Sequence, residues 1–313
     1  MQTDVQYTPS ALPGVNSAAA AAAFANVTTI YTDLDGTLFA PGGRLLADHA
    51  GQPSTATAEA LCALKAAGIE VVIVTGRDAR GGNELLRILN LNSYIGEMGT
   101  FIQHGIGDDA RTRFELGEWR DVVLADGLQP GELPAGVQPY EILRDSRVIE
   151  RLLVAFAGKL QYYRPYNSSV SQALHGCVDT AAAEAELAKE HLPLQLLDNG
   201  IIRSNTSGLE DCPVVHIYHL LPRGCSKAAA VALDMCERGL RPEQALAIGD
   251  SVGDIAMGQS TGCLVAVANA LRAESARHAL ETRVAQGLPT FITSLPTADG
   301  WVEFAEAFLA ARS

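Results

Sequence analysis

The chain alternates short, almost wholly apolar segments with segments in which apolar residues recur at helical spacing. Residues 27–32 and 69–74 are rich in β-branched and apolar side chains, and residues 54–67 between them have the helical spacing. Strands that are apolar along their length, with helices between them, predict a parallel sheet covered on both faces. The same pattern predicts helices at 83–89 and 226–238, and strands at 94–96, 100–103, 245–248 and 263–268.

The middle of the chain has a different character, with more prolines, more turn residues and shorter apolar runs. We therefore predict an α+β domain at residues 113–215, inserted into an α/β core formed by residues 27–112 and 216–313. A length of 313 residues suits two domains. Residues 1–26 are predicted to form a loosely ordered extension. The inserted domain is predicted to contain helices at 142–157 and 180–191, strands at 160–163, 170–174, 195–197 and 201–204, and a hairpin turn at 198–200.

The charge of the chain is strongly negative, with 36 acidic residues against 23 Lys and Arg and a formal net charge of −13. Such a surface repels phosphate backbones and anionic lipids, so nucleic acid and membranes are unfavourable as main partners. No run approaches the roughly 18 apolar residues of a membrane span. The first basic residue, Arg44, comes too late for the basic start of a signal peptide. We therefore expect a cytoplasmic protein.

The cysteines are scattered, without a CxxC pair or a regular spacing. A zinc site needs tighter clustering of Cys or His residues, so none is predicted. In a reducing cytoplasm all six are expected to be free thiols. They are Cys62, Cys177, Cys212, Cys225, Cys236 and Cys263.

Two carboxylates follow the first predicted strand, Asp33 and Asp35, and Gly36 comes next. Residues i and i+2 of a strand point to the same side, so the two acids are expected to be neighbours. Bringing two anions together is costly unless one holds a proton or a cation lies between them. The glycine allows backbone N–H groups to turn toward a bound anion.

Polar residues also stand at three other predicted strand ends or helix starts. Thr75 and Gly76 follow a buried strand, Lys227 opens a helix, and Asp250 and Asp254 follow another buried strand. Ligands of open α/β sheets bind outside the carboxyl ends of the strands, so these residues are expected to converge on one site. Each motif alone could equally be an ordinary loop, strand end or helix cap. The order of the motifs and their positions at strand ends and helix starts together favour a functional site.

The predicted site combines four acids with one ammonium, one hydroxyl and several glycine amides. Hard oxygen ligands without clustered His or Cys favour Mg²⁺. A lysine and loop amides that can hold phosphate indicate phosphoryl transfer. A carboxylate nucleophile suits this chemistry, because an aspartyl phosphate divides one slow step into two faster ones.

The order of the motifs resembles that of haloacid dehalogenase superfamily phosphatases of the Cof-type group (class IIB), which carry a large α/β cap. The similarity covers residues 27 to about 104 and about 216 to the C-terminus. It includes Val265–Ala270, which is similar to a strand-plus-Asn-Ala element of that group. The resemblance implies a Rossmann-like parallel-sheet core, with the inserted α+β domain at 113–215 closing over the site as a cap that selects the leaving group.

The resemblance also implies the catalytic roles. Asp33 would attack phosphorus and become the aspartyl phosphate. Asp35 would protonate the leaving alcohol and then take a proton from the hydrolytic water. Asp33, the backbone carbonyl of Asp35, and Asp250 would hold Mg²⁺.

By the same resemblance, the hydroxyl of Thr75, the ammonium of Lys227 and backbone amides near Gly36 and Gly76 would bind the phosphate. Asp254 and Ser251 would be supporting residues. The chain departs from the family pattern twice. Gly253 stands where an Asn usually precedes the last Asp, and Glu97-Met98-Gly99-Thr100 stands where Asn-Gly usually follows the next core strand.

Candidate substrate contacts in the cap are five polar residues of types that more often belong to a surface or to a core in which their hydrogen bonds are satisfied. They are Arg164, Asn167, His175, Arg203 and Asn205. The expected partner is a small phosphomonoester, most simply a sugar phosphate. A phosphosugar mutase and a non-catalytic phosphate-sensing regulator remain alternatives; the regulator would have no need of Asp35.

Overall fold

The computed structural model describes residues 12–120, 138–163, 169–202 and 207–312. The chain divides into two compact units, one formed by the residues up to Ile73 and from Val231 onward, the other by Val74–Ala230. The predicted boundaries of the inserted domain fall within the second unit and stay a prediction. Among the described helices, none is both long and apolar enough to cross a bilayer.

The secondary structure follows the predicted alternation. The strands are β1 (Thr29–Thr32), β2 (Glu70–Val74), β3 (Ser93–Gly96), β4 (Phe101–His104), β5 (Arg111–Phe114), β6 (Leu160–Tyr162), β7 (Gln172–Gly176), β8 (Leu194–Ile201), β9 (His216–Pro222), β10 (Ala245–Gly249), β11 (Cys263–Ala266) and β12 (Thr290–Ile292). The helices are α1 (Ala18–Phe24), α2 (Ala56–Ala66), α3 (Ala79–Leu89), α4 (Pro139–Asp145), α5 (Val148–Ala155), α6 (Thr180–Leu187), α7 (Lys227–Glu237), α8 (Val252–Met257), α9 (Glu274–Ala285) and α10 (Thr297–Ala310).

In the first unit a parallel sheet runs in the order β12, β11, β10, β1, β2. Every residue of β1 and β10 is buried, as expected of strands covered on both faces. Ile248 of β10 is aligned with Thr32 of β1 and with Val265 of β11. The carboxyl ends of these strands therefore lie side by side, and the predicted α/β core sheet is confirmed.

The N-terminal part of the first unit packs onto this sheet. Within the predicted extension 1–26, Ser17 caps helix α1, and the buried ring of Phe24 at its end contacts the rings of Phe291, Phe304 and Phe308. Burying an aromatic side chain of this size contributes about 1.5–3 kcal/mol to folding. The described part of the extension is thus ordered by its packing, and residues 1–11 lie outside the described residues.

The second unit contains two antiparallel arrangements. Strands β3, β4 and β5 pair in that order, and a separate sheet has the order β6, β7, β9, β8. The second sheet has its own apolar core, which includes Trp119, Leu143, Leu152, Leu174 and Tyr218. An independent core of this kind is what the predicted α+β composition requires.

Two predicted elements of this unit are wrong in detail. The single helix at 142–157 is divided into α4 and α5, because Arg147 adopts a left-handed conformation with φ 59°. The hairpin at 198–200 does not form; β8 continues through it, with a register shift between Asp198 and Ile201. The Asp198 side chain accepts a hydrogen bond from the backbone N–H of Gly200 (2.8 Å), which satisfies the displaced backbone of the bulge.

The prediction of six free thiols is also wrong. Cys177, just after β7, forms a disulfide with Cys212, 35 residues later, and their Cα atoms are 5.5 Å apart. The other four cysteines are free. The tertiary fold brings Cys177 and Cys212 together, and their spacing in the sequence does not indicate this pairing.

Candidate active site

The predicted nucleophile lies at the carboxyl end of β1. The backbone N–H of Asp33 donates to the Ile248 carbonyl at 3.0 Å, which extends the pairing of β1 with β10 by one residue. The hydroxyl of Thr32 donates to the Asp33 carbonyl (2.8 Å) and accepts from the indole N–H of Trp301 (3.0 Å). The backbone of Asp33 is thus held from two sides, and its side chain is buried.

Three carboxylates meet at this edge of the sheet. Asp33, Asp250 and Asp254 each offer an oxygen, and these oxygens all lie within 4.8 Å of one another. Asp33 and Asp254 are buried, and Asp250 is half-buried. Three negative charges so close together repel one another strongly unless a cation or protons offset them. With carboxylate donors and no His or Cys in the group, the cluster suits a hard divalent cation such as Mg²⁺.

Gly36 lies directly against the carboxylate of Asp250. Its φ is +91°, and a Cβ atom added to it would lie 2.7 Å from Asp250 Oδ2. Both the backbone conformation and the close approach therefore require glycine. The hydroxyl of Thr37 lies 3.4 Å from Asp250 Oδ1.

Asn269 holds the same carboxylate from the other side, and no role for its amide was predicted. Its Nδ2 donates to Asp250 Oδ2 (2.7 Å) and to the carbonyl of Gly36 (2.9 Å). Its Oδ1 accepts from the backbone N–H of Thr297, the first residue of α10, at 2.8 Å. The Asn-Ala pair after β11 was the only sign in the sequence that this residue belongs near the site.

Asp254 and Ser251 shape the loop that presents Asp250. Asp254 Oδ2 accepts from the Ser251 hydroxyl (2.6 Å), the Ser251 N–H (2.9 Å) and the Asp250 N–H (3.3 Å). The Ser251 hydroxyl in turn accepts from the Asp254 N–H and caps α8. Both residues make the contacts that supporting residues would make, and their roles stay predictions.

Asp35 has an exposed side chain that lies outside the carboxylate cluster. The turn containing it is closed by hydrogen bonds from the N–H groups of Thr37 (3.2 Å) and Phe39 (2.8 Å) to the carbonyl of Leu34. Its exposure is compatible with exchanging protons with a substrate or water.

Three of the predicted phosphate-binding residues, Thr75, Gly76 and Lys227, belong to the second unit, whereas Gly36 belongs to the first. Thr75 is buried after β2, and its N–H donates to the Ile95 carbonyl at 2.9 Å. Its hydroxyl accepts from the Arg77 N–H at 3.3 Å. This arrangement holds the Thr75 side chain at the start of the loop that contains Gly76.

Lys227 begins helix α7 and is only 3% exposed. His219 of β9 is buried near it, and burial together with the positive charge of Lys227 lowers the pKa of His219 to about 4. A Cβ atom on Gly76 would lie 2.9 Å from His219 Nε2. Among the described residues, Nδ1 of His219 has no hydrogen-bond partner. Because its pKa is about 4, the ring of His219 is neutral at ordinary pH. No role for this residue was predicted from the sequence.

The structure thus forms two groups of predicted site residues. The acidic cluster and Gly36 lie in the first unit, and Thr75, Gly76 and Lys227 lie in the second. That both act on one phosphate stays a prediction. Of the cap candidates, His175 lies on β7, where burial lowers its pKa, and its ring centroid is 5.6 Å from that of Tyr163. Arg164, Asn167, Arg203 and Asn205 lie outside the described residues.

Comparison with known proteins gives a consistent result. The family model for haloacid dehalogenase-like hydrolases matches residues 30–111 and 213–288. A protein named phosphoglycolate phosphatase, from Methanoculleus marisnigri, is 27% identical over 246 residues, which cover 77% of this chain and 84% of that protein.

Solved structures that share the fold include two phosphatases. The sucrose-phosphatase of Synechocystis sp. PCC6803, solved with sucrose and phosphate, has a TM-score of 0.57 and 17% identity, covering 90% of this chain and 98% of its own. The subclass IIB sugar phosphatase BT4131 has a TM-score of 0.55 and 14% identity, covering 91% of this chain and 100% of its own. The predicted cap-bearing α/β fold is confirmed by this likeness.

Proposed function

We propose, from the premise that this chain belongs to the haloacid dehalogenase-like hydrolase family, that it is a Mg²⁺-dependent phosphatase of a small phosphorylated metabolite. Family membership and the phosphatase names of the relatives confirm the predicted class, a phosphomonoesterase hydrolase. The metal, the substrate and the residue roles are our proposals.

One observation carries the metal proposal, the crowding of Asp33, Asp250 and Asp254 oxygens within 4.8 Å. Asp33, Asp250 and the backbone carbonyl of Asp35 would hold Mg²⁺. The ion would offset the charge of the carboxylates and of the phosphate, which these acids would otherwise repel.

The chemistry then follows from the residues. Asp33 attacks the phosphorus atom, the bond from phosphorus to the ester oxygen breaks, and the departing alkoxide takes a proton from Asp35. The ionised Asp35 next takes a proton from water, which attacks the aspartyl phosphate and releases phosphate from Asp33. Asp35 has the exposure that both proton transfers need.

The phosphate is proposed to be bound by Thr75, Lys227 and the backbone amides near Gly36 and Gly76. The ammonium and the hydroxyl would meet charge on the phosphoryl oxygens as it shifts during transfer. The neutral ring of His219 leaves Lys227 as the positive charge of this group.

The substrate is proposed to be a sugar phosphate. The fold is shared with a sucrose-phosphatase and a sugar phosphatase, which supports this class. The relative named phosphoglycolate phosphatase makes a phosphorylated hydroxy acid the second candidate. Cap contacts by Arg164, His175 and Arg203 remain part of the proposal.

The compartment is proposed to be the cytoplasm, with nucleic acid and membranes unfavourable as partners because of the net charge of −13. The Cys177–Cys212 disulfide counts against this compartment, because such bonds are rare in a reducing cytoplasm. Alkylation of the protein in freshly lysed cells, followed by mass spectrometry, distinguishes the reduced from the oxidised pair.

The test is phosphate release from an aryl phosphate and from a panel of sugar phosphates and phosphorylated hydroxy acids, with and without Mg²⁺. The wild-type protein is compared with Asp33→Asn and with Asp108→Asn, an exposed control. We expect Mg²⁺-dependent hydrolysis that Asp33→Asn abolishes and Asp108→Asn leaves intact. Wild-type inactivity across the panel would refute the phosphatase, and full activity of Asp33→Asn would refute the nucleophile. Isomerised sugar phosphate in place of free phosphate would identify a mutase.

A further inference from the structure

The turn after β3 has an unusual backbone. Glu97, Met98 and Gly99 have φ values of 50°, 59° and 100°, so three successive residues are left-handed. Non-glycine residues in this region cost about 1–3 kcal/mol each and persist only where surrounding contacts hold them. The contacts of this turn, which we call the 97–99 turn, therefore need an explanation.

On one side, the 97–99 turn touches the phosphate-binding residues of its own unit. The N–H of Met98 donates to the carbonyl of Thr75 at 3.1 Å. A Cβ atom on Gly99 would lie 2.3 Å from the carbonyl oxygen of Ser226, the residue immediately before Lys227. The turn is thus packed against the backbones of Thr75 and of Ser226, the residue that precedes Lys227.

On the other side, the carboxylate of Glu97 holds the segment that leads into β7. It accepts hydrogen bonds from the N–H groups of Ser169 (2.6 Å), Val170 (2.9 Å) and Ser171 (3.0 Å), and from the Ser171 hydroxyl (3.2 Å). Glu97 is 1% exposed.

All four hydrogen bonds to Glu97 come from donors, which favours the ionised carboxylate. Burial raises the pKa of Glu97, and the four hydrogen bonds act against that rise. The segment 169–171 in turn continues into the strand that carries His175.

We propose that Glu97 is a positioning residue that couples phosphate binding at Thr75 and Lys227 to the order of residues 169–171. The inference rests on the proposed function, because it assumes that these two residues bind phosphate. A tightly packed left-handed turn has little freedom to adjust. A ligand that restrains its Thr75 and Ser226 neighbours therefore also restrains the Glu97 carboxylate and the amides bonded to it. Coupling of this kind is reciprocal, so an ordered 169–171 segment also favours phosphate binding.

The test is hydrogen exchange of the full-length wild-type protein in Mg²⁺, with and without saturating inorganic phosphate. Peptides containing Thr75 and Lys227 report phosphate binding, and the peptide covering 169–176 reports the coupling. We expect phosphate to slow exchange in all three, by about 5-fold or more at 169–171.

The matched variants are Glu97→Gln and Glu184→Gln. Glu184 also accepts a backbone hydrogen bond within this unit, from Leu196 at 2.8 Å, but that contact is made to β8. Glu97→Gln should keep phosphate protection at Lys227, lose it at 169–176, and raise KM more than it lowers kcat. Glu184→Gln should keep both protections. If Glu97→Gln does not fold, Ser171→Ala, which removes only the hydroxyl donor, should weaken the coupling.

The outcomes separate three failures. Absence of protection in every peptide overturns phosphate binding, and with it the coupling. Protection at Thr75 and Lys227 without protection at 169–176 overturns the coupling alone. Coupling that survives Glu97→Gln overturns the role of Glu97.

Discussion

The amide nitrogen of Asn269 lies 2.7 Å from Oδ2 of Asp250, and these residues come from the ends of neighbouring parallel strands. Because the same amide also binds the Gly36 carbonyl, it sets the position of the Asp250 carboxylate relative to the loop after β1. A residue in this position is expected to tune a metal site without touching the metal.

Asn269→Ala should therefore weaken Mg²⁺ binding by about 10- to 100-fold, the range found when groups behind metal ligands are removed. The measurement is the Mg²⁺ concentration that gives half-maximal hydrolysis of an aryl phosphate. Asn16→Ala, at an exposed position in the same unit, is the control and should leave it unchanged. An unaltered Mg²⁺ requirement in Asn269→Ala would contradict the role given to this amide.

Gly36→Ala should abolish activity and lower the free energy of unfolding by about 1–3 kcal/mol, since it combines a left-handed φ with a collision against Asp250. The matched control is Gly68→Ala, at φ +75° with nothing within 4 Å of the added atom. Gly68→Ala should lose stability through its backbone alone and keep its activity. Denaturant titration and activity assays on both variants separate strain from collision, and equal losses of activity would refute the distinction.

His219 should make the stability of the protein depend on pH. Its pKa is about 4 in the folded protein and ordinarily 6.5, so the unfolded chain binds a proton that the folded protein does not between these values. The contribution of neutral His219 to the free energy of unfolding is fully present above pH 6.5 and is lost as the pH falls toward 4. At about 1.4 kcal/mol for each pKa unit, it reaches about 3 kcal/mol.

The measurement is the free energy of unfolding at pH 5 and pH 7 for wild type and His219→Gln. The variant should show a smaller difference between the two pH values than the wild type. His191→Gln is the control, because His191 is an exposed histidine of the same unit. A wild-type difference that is unchanged in His219→Gln would mean that folding does not lower the pKa of His219.

Replacing Cys177 and Cys212 by serine should lower the free energy of unfolding by about 2–4 kcal/mol under oxidising conditions, because the disulfide restricts the unfolded chain. In a reducing buffer the wild type and the double variant should differ much less. Cys236→Ser changes an exposed free thiol and should have no effect in either buffer. Equal stability of the double variant and wild type without reductant would show that the bond does not form in solution.

The positions of Asp33 and Asp250 could be predicted because each follows an apolar strand, and parallel strands place their carboxyl ends along one edge. The strands themselves could be predicted because buried parallel strands are apolar along their length. The residues that hold the site could not be found in this way. Asn269 reaches Gly36 across 233 residues, and Glu97 reaches Ser169 across 72.

Such contacts depend on tertiary packing between distant parts of the chain, and a local stretch of sequence does not indicate them. The break at Arg147 is a different case, because the local sequence carries a sign of it. Asp145 and Ser146 favour helix ends, and the Ser146 hydroxyl donates to the Leu143 carbonyl (2.6 Å) and accepts from the Val148 N–H (3.3 Å). The helices on either side, α4 and α5, each pack against the core. The Cys177–Cys212 pair was missed because compartment and spacing were the only guides.

The first unit is built from both ends of the described chain, and this arrangement has a consequence for synthesis on the ribosome. β1 leaves the ribosome early, but its partner β10 is made much later, and the Thr37–Asp250 contact spans 213 residues. Until β10 emerges, one edge of the apolar strand β1 lacks its partner. An unpaired strand edge binds chaperones and favours aggregation. The acidic cluster therefore assembles among the last features of the nascent protein, and a chain interrupted before β10 lacks Asp250 and Asp254.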